Sequence, residues 1–297
     1  MWEADNIFYN NYGNFIKAYI GAELVWFREN VLNNEILIVC DADGVVYGDY
    51  TLTSGENRIQ MPEKTTMPIL PASNILEIDL LSYDTQLNGY PTEISNLCFL
   101  NKSLRKFVAT DANLAGITSS TGVFKGNTAL EETYMGDMVS TPSVENMFYG
   151  CTALKTVSIG KLTKCKTFKS VFYNCSALER ISYLDTSNAT NVSNLFDGCT
   201  NLTDVPLLDC SKLTTATSGL FNRCKSLTNL GGFTNLKYSL VLTDSDLITR
   251  ESMINIFNTI ANVTASRSIE ISQTVYDRLT ADDIAIATNK GWTVSIS

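Results

Sequence analysis

Leu184-Asp-Thr-Ser-Asn-Ala-Thr-Asn-Val-Ser-Asn-Leu195-Phe196-Asp-Gly-Cys199-Thr-Asn-Leu202-Thr-Asp-Val205-Pro-Leu207 is one full statement of a phrase that recurs along the chain. One repeat upstream stands Phe172-Tyr-Asn-Cys175-Ser-Ala-Leu178-Glu-Arg-Ile181, and the same interval again gives Phe148-Tyr-Gly-Cys151-Thr-Ala-Leu154-Lys-Thr-Val157-Ser-Ile159. Downstream, at an interval longer by a single position, stands Phe221-Asn-Arg-Cys224-Lys-Ser-Leu227-Thr-Asn-Leu230. Upstream, Phe124-Lys-Gly-Asn127-Thr-Ala-Leu130 carries Asn in the Cys place, and Asn101-Lys-Ser-Leu104-Arg-Lys-Phe107 is a weaker copy at a slightly longer interval before it. Self-similarity at this period means one supersecondary unit stacked on copies of itself, a solenoid that presents a surface.

Within each unit, Leu followed three and five residues later by Val, Ile or Leu reads as a short strand with alternate side chains turned inward. The polar stretch before each Phe, such as Ser143-Val-Glu-Asn-Met147-Phe148, reads as a short helical turn. A coil this short cannot bury enough apolar surface alone, so its Phe, Leu and Val must be covered by the coils above and below.

The run Leu184 to Leu202 closely resembles the BspA-like leucine-rich repeats of bacterial surface antigens, which are also carried by phages of gut anaerobes. The resemblance implies an α/β leucine-rich-repeat solenoid with a parallel sheet on one face, used for adhesion or recognition and without enzymatic activity. Asn127, the longer unit that ends at Phe221 and the Gly231-Gly232 break depart from the pattern.

Three segments follow. Residues 1–90 form a small β-rich module, with strand-like Phe15–Ile20 and Glu23–Phe27 around Gly21-Ala22, an Asp43-Gly44 hairpin turn between Glu35–Cys40 and Val45–Leu52, and a strand at Arg58–Met61. A proline-bearing loop from Met61 then leads to Ile75–Leu81. Residues 91–240 are the solenoid, and residues 241–297 an α/β cap. In the cap, Thr249 suits the N-cap of a helix with Met253, Ile254, Phe257 and Ile260 on one face. Ser268–Ser272 is a strand, Thr280 opens a second helix to about Asn289, Gly291 stops it, and Trp292–Ile296 is a last strand. The hairpin Ile16–Trp26 resembles segments of tailed-phage structural proteins, and the cap resembles the endings of phage-borne repeat proteins.

With 22 basic and 31 acidic residues the net charge is −9, which argues against general affinity for nucleic acid or anionic lipid. No stretch is long and apolar enough to cross a bilayer as a helix. The first residues have neither a basic start nor an apolar core, so no secretory leader is expected.

The chain has no histidine, which removes Ser-His-Asp and Cys-His nucleophiles, and no C-x-x-C pair, which removes the common zinc patterns. Asp41-Ala-Asp43-Gly44 lacks the remaining ligands of a calcium loop. No nucleotide-binding loop is present, and no acidic pair stands out for glycosidase chemistry. Catalytic residues, cofactors and metals are therefore all expected to be none. Cys151, Cys175, Cys199 and Cys224 form a ladder of one thiol per coil, read as buried small residues rather than disulfides, because Asn127 takes the same place.

If Val157 and Ile159 point inward, the outward column runs Lys106, Glu132, Thr156, Arg180, Asp204, with Val108, Tyr134, Ser158, Ser182, Pro206 beside it. Lys106/Glu132 and Arg180/Asp204 read as cross-strand charge pairs, or alternatively, with Tyr134, as a ligand-binding strip for a glycan or protein. Two roles are expected. The first is a virion component, in tail, fibre or capsid decoration, docked through the N-terminal module on other virion proteins in many copies and displayed for attachment to a host surface. The second is a cell-surface or secreted adhesin.

Overall fold

The computed structural model describes residues 15–20, 23–28, 35–47, 50–60, 74–80, 92–110 and 112–297. The proline-bearing loop expected from Met61 lies outside the described residues, as do the side chains of the first hairpin.

Strands β1 (Phe15–Ile20) and β2 (Glu23–Arg28) pair antiparallel in the expected hairpin, Ile20 opposite Glu23. Strand β3 (Glu35–Cys40) does not form the expected hairpin with the residues after Asp43-Gly44. Instead β4 (Val45–Tyr47) folds back on β5 (Tyr50–Leu52), and β3 pairs antiparallel with β6 (Gly55–Gln60) and β7 (Ile75–Asp79). Gly44 still makes its tight turn, at φ +76°, with its N–H on the Leu52 carbonyl at 2.8 Å. The turn thus leads from β3 into β4 rather than closing a hairpin between them, and a local reading of apolar runs does not separate the two.

Strand β7 pairs in parallel with β8 (Lys106–Ala109), then β9 (Glu132–Met135), then β10 (Thr156–Ile159), so one six-stranded sheet runs from β6 through β3 into the repeats. Beyond β10 the sheet narrows to an Arg180–Asp204 bridge and two short parallel pairs: β11 (Asp204–Val205) with β13 (Asn229–Leu230), and β12 (Leu208–Asp209) with β14 (Phe233–Thr234). The cause is a change of phase. Ile159 is buried, but Tyr183 and Leu207 at the same repeat position are 54 % and 50 % exposed, and the following Leu184 and Leu208 turn inward instead. Moving the inward side chain by one residue ends regular pairing.

Phe124, Phe148, Phe172, Phe196 and Phe221 make one buried column, with centroids 5.2, 5.5, 5.6 and 5.6 Å apart and neighbouring rings within 8° of parallel. Each contributes about 1.5–3 kcal/mol by burial, with stacking added. Both ends are closed by phenylalanines from other positions. Cys98 occupies the phenylalanine place in the first coil, its N–H bonded to the Val123 carbonyl, and Phe107 packs edge-on against Phe124 at 4.9 Å. Phe233 tilts against Phe221 at the far end.

The segments leading to each Phe are not helical turns. Residues two before and two after the column position have positive φ throughout: Asn146 and Gly150, Ser170 and Asn174, Asn194 and Gly198 in the middle coils. This makes amides point alternately along the chain and at the next coil. Met147 N–H bonds Val144 at 3.1 Å, whereas Phe148 N–H reaches Val171 at 2.9 Å and Gly150 N–H reaches Tyr173 at 2.8 Å. Asn and Gly recur there because they tolerate the left-handed region.

The last coil is closed by helix α1 (Arg250–Thr259), capped by the Thr249 side chain as expected. Its buried face is Ser252, Met253, Ile256 and Phe257; Ile254, expected there, is only half-buried. Ser252 Oγ accepts from Leu230 N and donates to the Thr228 carbonyl, and Thr259 Oγ1 accepts from Phe233 N. The helix thereby satisfies backbone groups that another coil would have met. Strands β15 (Leu240–Leu242), β16 (Arg267–Ile271) and β17 (Trp292–Ile296) form a parallel sheet, with a short helix α2 (Gln273–Tyr276) and α3 (Ala281–Thr288) between the last two. Thr280 and Asp283 form a capping box at α3, and Gly291 turns the chain at φ +87°.

Candidate functional site

The sheet face carries the outward columns in the expected register. Lys106 lies opposite Glu132 and Glu132 opposite Thr156, with Val108, Tyr134 and Ser158 aligned beside them. Arg180 meets Asp204 through a bridge rather than a continuous strand, and Asp204 is followed by Asn229. At the other end the column continues onto Glu77, opposite Lys106, above a shallow hollow lined by Leu37, Val39 and Asp79. Thr156 and Arg180 are exposed, whereas Lys106, Glu132, Tyr134 and Asp204 are half-buried.

The charges are arranged differently from cross-strand ion pairs. Among the described residues, the ion pairs are Lys155–Glu131 at 3.2 Å, Lys169–Glu145 at 3.1 Å, Arg223–Asp197 at 2.8 Å and Arg250–Asp283 at 2.7 Å. Lys106/Glu132 and Arg180/Asp204 are not among them. Pairing moves one position back in the repeat, to Glu131 and Lys155, a match at the repeat interval that is legible in the sequence. Glu132 accepts instead from the Tyr134 hydroxyl at 3.3 Å. The Asp204 carboxyl is held below its usual range by the Thr203 hydroxyl at 2.5 Å, then by Asn229 Nδ2 at 2.8 Å and the nearby Arg180. Arg180 is left exposed as a projecting cation.

Beside the strip stand Tyr183 and Leu207, the exposed apolar pair created by the phase change. Sequence periodicity places them inward with Ile159; only the leucines that follow them, Leu184 and Leu208, where Gly160 follows Ile159, point otherwise. A second surface stack, Tyr149 on Tyr173 at 4.7 Å with Lys125 over one ring and Arg223 over the other, covers its own ring faces.

The eight cysteines are free and buried. The four ladder thiols each donate to the carbonyl of the phenylalanine one coil earlier: Cys151 to Phe124, Cys175 to Phe148, Cys199 to Phe172 and Cys224 to Phe196, at 3.0–3.1 Å. Burial pushes Cys224 up to about 12 and Cys175 and Cys199 well above the ordinary 9.0. Such thiols are structural, since the reactive form is the thiolate. Among the described residues no group of three or more Cys, Asp or Glu could hold a metal ion, and no helix is long and apolar enough to cross a membrane.

A stack of coils sharing one buried column, with a polar strand face outward, defines a leucine-rich-repeat solenoid, a class that ordinarily serves as a binding scaffold. Residues 120–239 match the family model for the BspA type leucine rich repeat region, in six copies. No curated protein and no solved structure matches the chain.

Proposed function

We propose that this is a non-enzymatic display protein whose strand face, through Lys106, Glu132, Tyr134, Arg180 and Asp204, binds a glycan or protein on a host surface. The observation that carries this reading is the shared register of Lys106, Glu132 and Tyr134 on one strand face and of Arg180 beside Asp204 across a bridge, with Arg180 projecting free of any carboxylate partner within ion-pair distance among the described residues. Tyr183 and Leu207 add apolar area next to the charge, the mixture that recognition surfaces use. A mixed-sign strip suits a glycan or protein better than a polyanion.

The setting we propose is a phage particle, in tail, fibre or capsid decoration, with the N-terminal module docked on other virion proteins and many copies displayed. The resemblances of the Ile16–Trp26 hairpin and of the cap to phage-borne segments support it. The match to BspA-type repeats equally suits a bacterial surface or secreted adhesin, which is the alternative. Antibody-gold labelling of purified particles and of intact cells separates the two: label on particles is expected, and label confined to the cell envelope would sink the virion reading. For the strip, binding to host-cell envelopes should fall about tenfold or more in R180E; unchanged binding in R180E combined with Y134A would remove the strand face from the mechanism.

A further inference from the structure

Another surface of the repeats carries charge without a structural use. Cys165 is fully buried, so its neighbours Lys164 and Lys166 both stand outward and exposed. The coils on either side offer short side chains beneath them, Ser140 and Pro142 before and Asn188 after, and with Thr163 these line an open groove. Lys164, Asn188 and Lys212 occupy one position in three successive coils, so at about 4.8 Å per coil the first and last lysines are about 10 Å apart. Among the described residues none of Lys164, Lys166 and Lys212 forms an ion pair. Their one side-chain hydrogen bond among the described residues runs from Lys212 Nζ to Asn188 Oδ1, while Asn188 Nδ2 donates to the Thr163 carbonyl at 2.8 Å and so fixes the amide.

Two exposed lysines, Lys164 and Lys166, line the groove, and Lys212 stands one coil beyond Asn188, an unusual grouping in a chain of net charge −9. An anion seated between Lys164 and Lys166 would meet two ammonium groups that no carboxylate among the described residues holds within ion-pair distance. The groove holds no aromatic ring on which a nucleic-acid base could stack. Sugar rings bearing acid groups fit better, because Ser140 and Thr163 can exchange hydrogen bonds with ring hydroxyls while the lysines take the charge. We propose that the groove of Thr163, Lys164, Lys166 and Asn188 is a second ligand site, which takes carboxylate or sulfate groups of an acidic polysaccharide.

The test uses the full chain and calorimetric titration with polygalacturonate and dextran sulfate, against neutral dextran and duplex DNA. Binding to at least one acidic polysaccharide is expected, weakening as salt rises, with none to dextran. K164E/K166E should lose at least about tenfold in affinity, and K164R/K166R should retain it with an unchanged unfolding midpoint. Both lysines are exposed, and R180E on the strand face should leave this binding intact, which separates the two sites. No binding to either acidic polymer, equal binding by K164E/K166E, or DNA binding as tight as that of the polysaccharides would each overturn the proposal.

Discussion

The Cys199 thiol donates to the Phe172 carbonyl at 3.0 Å, joining two coils at the point where the aromatic column also joins them. The same carbonyl accepts the Cys175 amide at 3.0 Å, so polar and apolar contacts between coils share one backbone unit. That coincidence explains why Phe and Cys travel together through the repeats at a spacing of three.

Phe172 sits between Phe148 and Phe196 with no exposed surface. F172A should cost about 3–5 kcal/mol, through lost burial and a cavity in the middle of the stack. Urea unfolding followed by circular dichroism measures it, and a loss below about 1 kcal/mol would contradict a shared column.

Asn127 fills the ladder place but leaves its Nδ2 buried without a partner, while its Oδ1 accepts the Leu130 amide at 3.1 Å. In the cysteine coils that leucine amide uses the ladder residue's own carbonyl, as Leu154 does with Cys151. N127C should therefore gain about 1 kcal/mol by removing an unsatisfied donor. A thermal melt showing a lower midpoint would refute this.

Burial pushes Cys165, Cys210 and Cys224 up to about 12 from an ordinary 9.0. Unfolded, these thiols ionise near 9, so between 9 and 12 the unfolded chain gives up protons that the folded chain keeps. Stability should be complete below pH 9 and decline steadily above it. Cysteine-to-alanine replacement at Cys210 and Cys224 should flatten that decline in a pH series of unfolding curves.

Asp283 accepts from both Nε and Nη2 of Arg250, at 2.7 and 2.8 Å, and from the Thr280 amide and hydroxyl, which hold its carboxyl well below the usual range. Its contribution is present above the unfolded value near 3.8 and is lost as pH falls below it. D283N should lower the unfolding midpoint at neutral pH and give a shallower acid limb than the parent protein. Parallel acid titrations of both would show identical limbs if the pair were inert.

Gly232 has φ +101°, and an added Cβ would lie 2.3 Å from Thr259 Oγ1 of α1. G232A should cost about 1–3 kcal/mol and loosen the cap selectively, seen as faster hydrogen exchange in residues 250–260.

Periodicity alone was enough to reveal the stack, because a Phe recurring at one fixed interval has no local use and must be covered by its own copies. The strip register, Lys106 to Glu132 to Thr156, followed from the same count. The cap was legible for a different reason: Thr249, Thr280 and Gly291 act on their immediate neighbours, and local chemistry is written locally.

What three dimensions decided was every choice between partners. Whether β3 pairs with the strand after Asp43-Gly44 or with β6, whether the residues before Phe148 bond along the chain or to the next coil, and whether Tyr183 faces in or out depend on the competing surfaces present. A repeat announces that its copies meet, since each leaves apolar surface uncovered. Which amide meets which carbonyl, and which side chain is left outside to bind something else, is settled only when all the coils are in place.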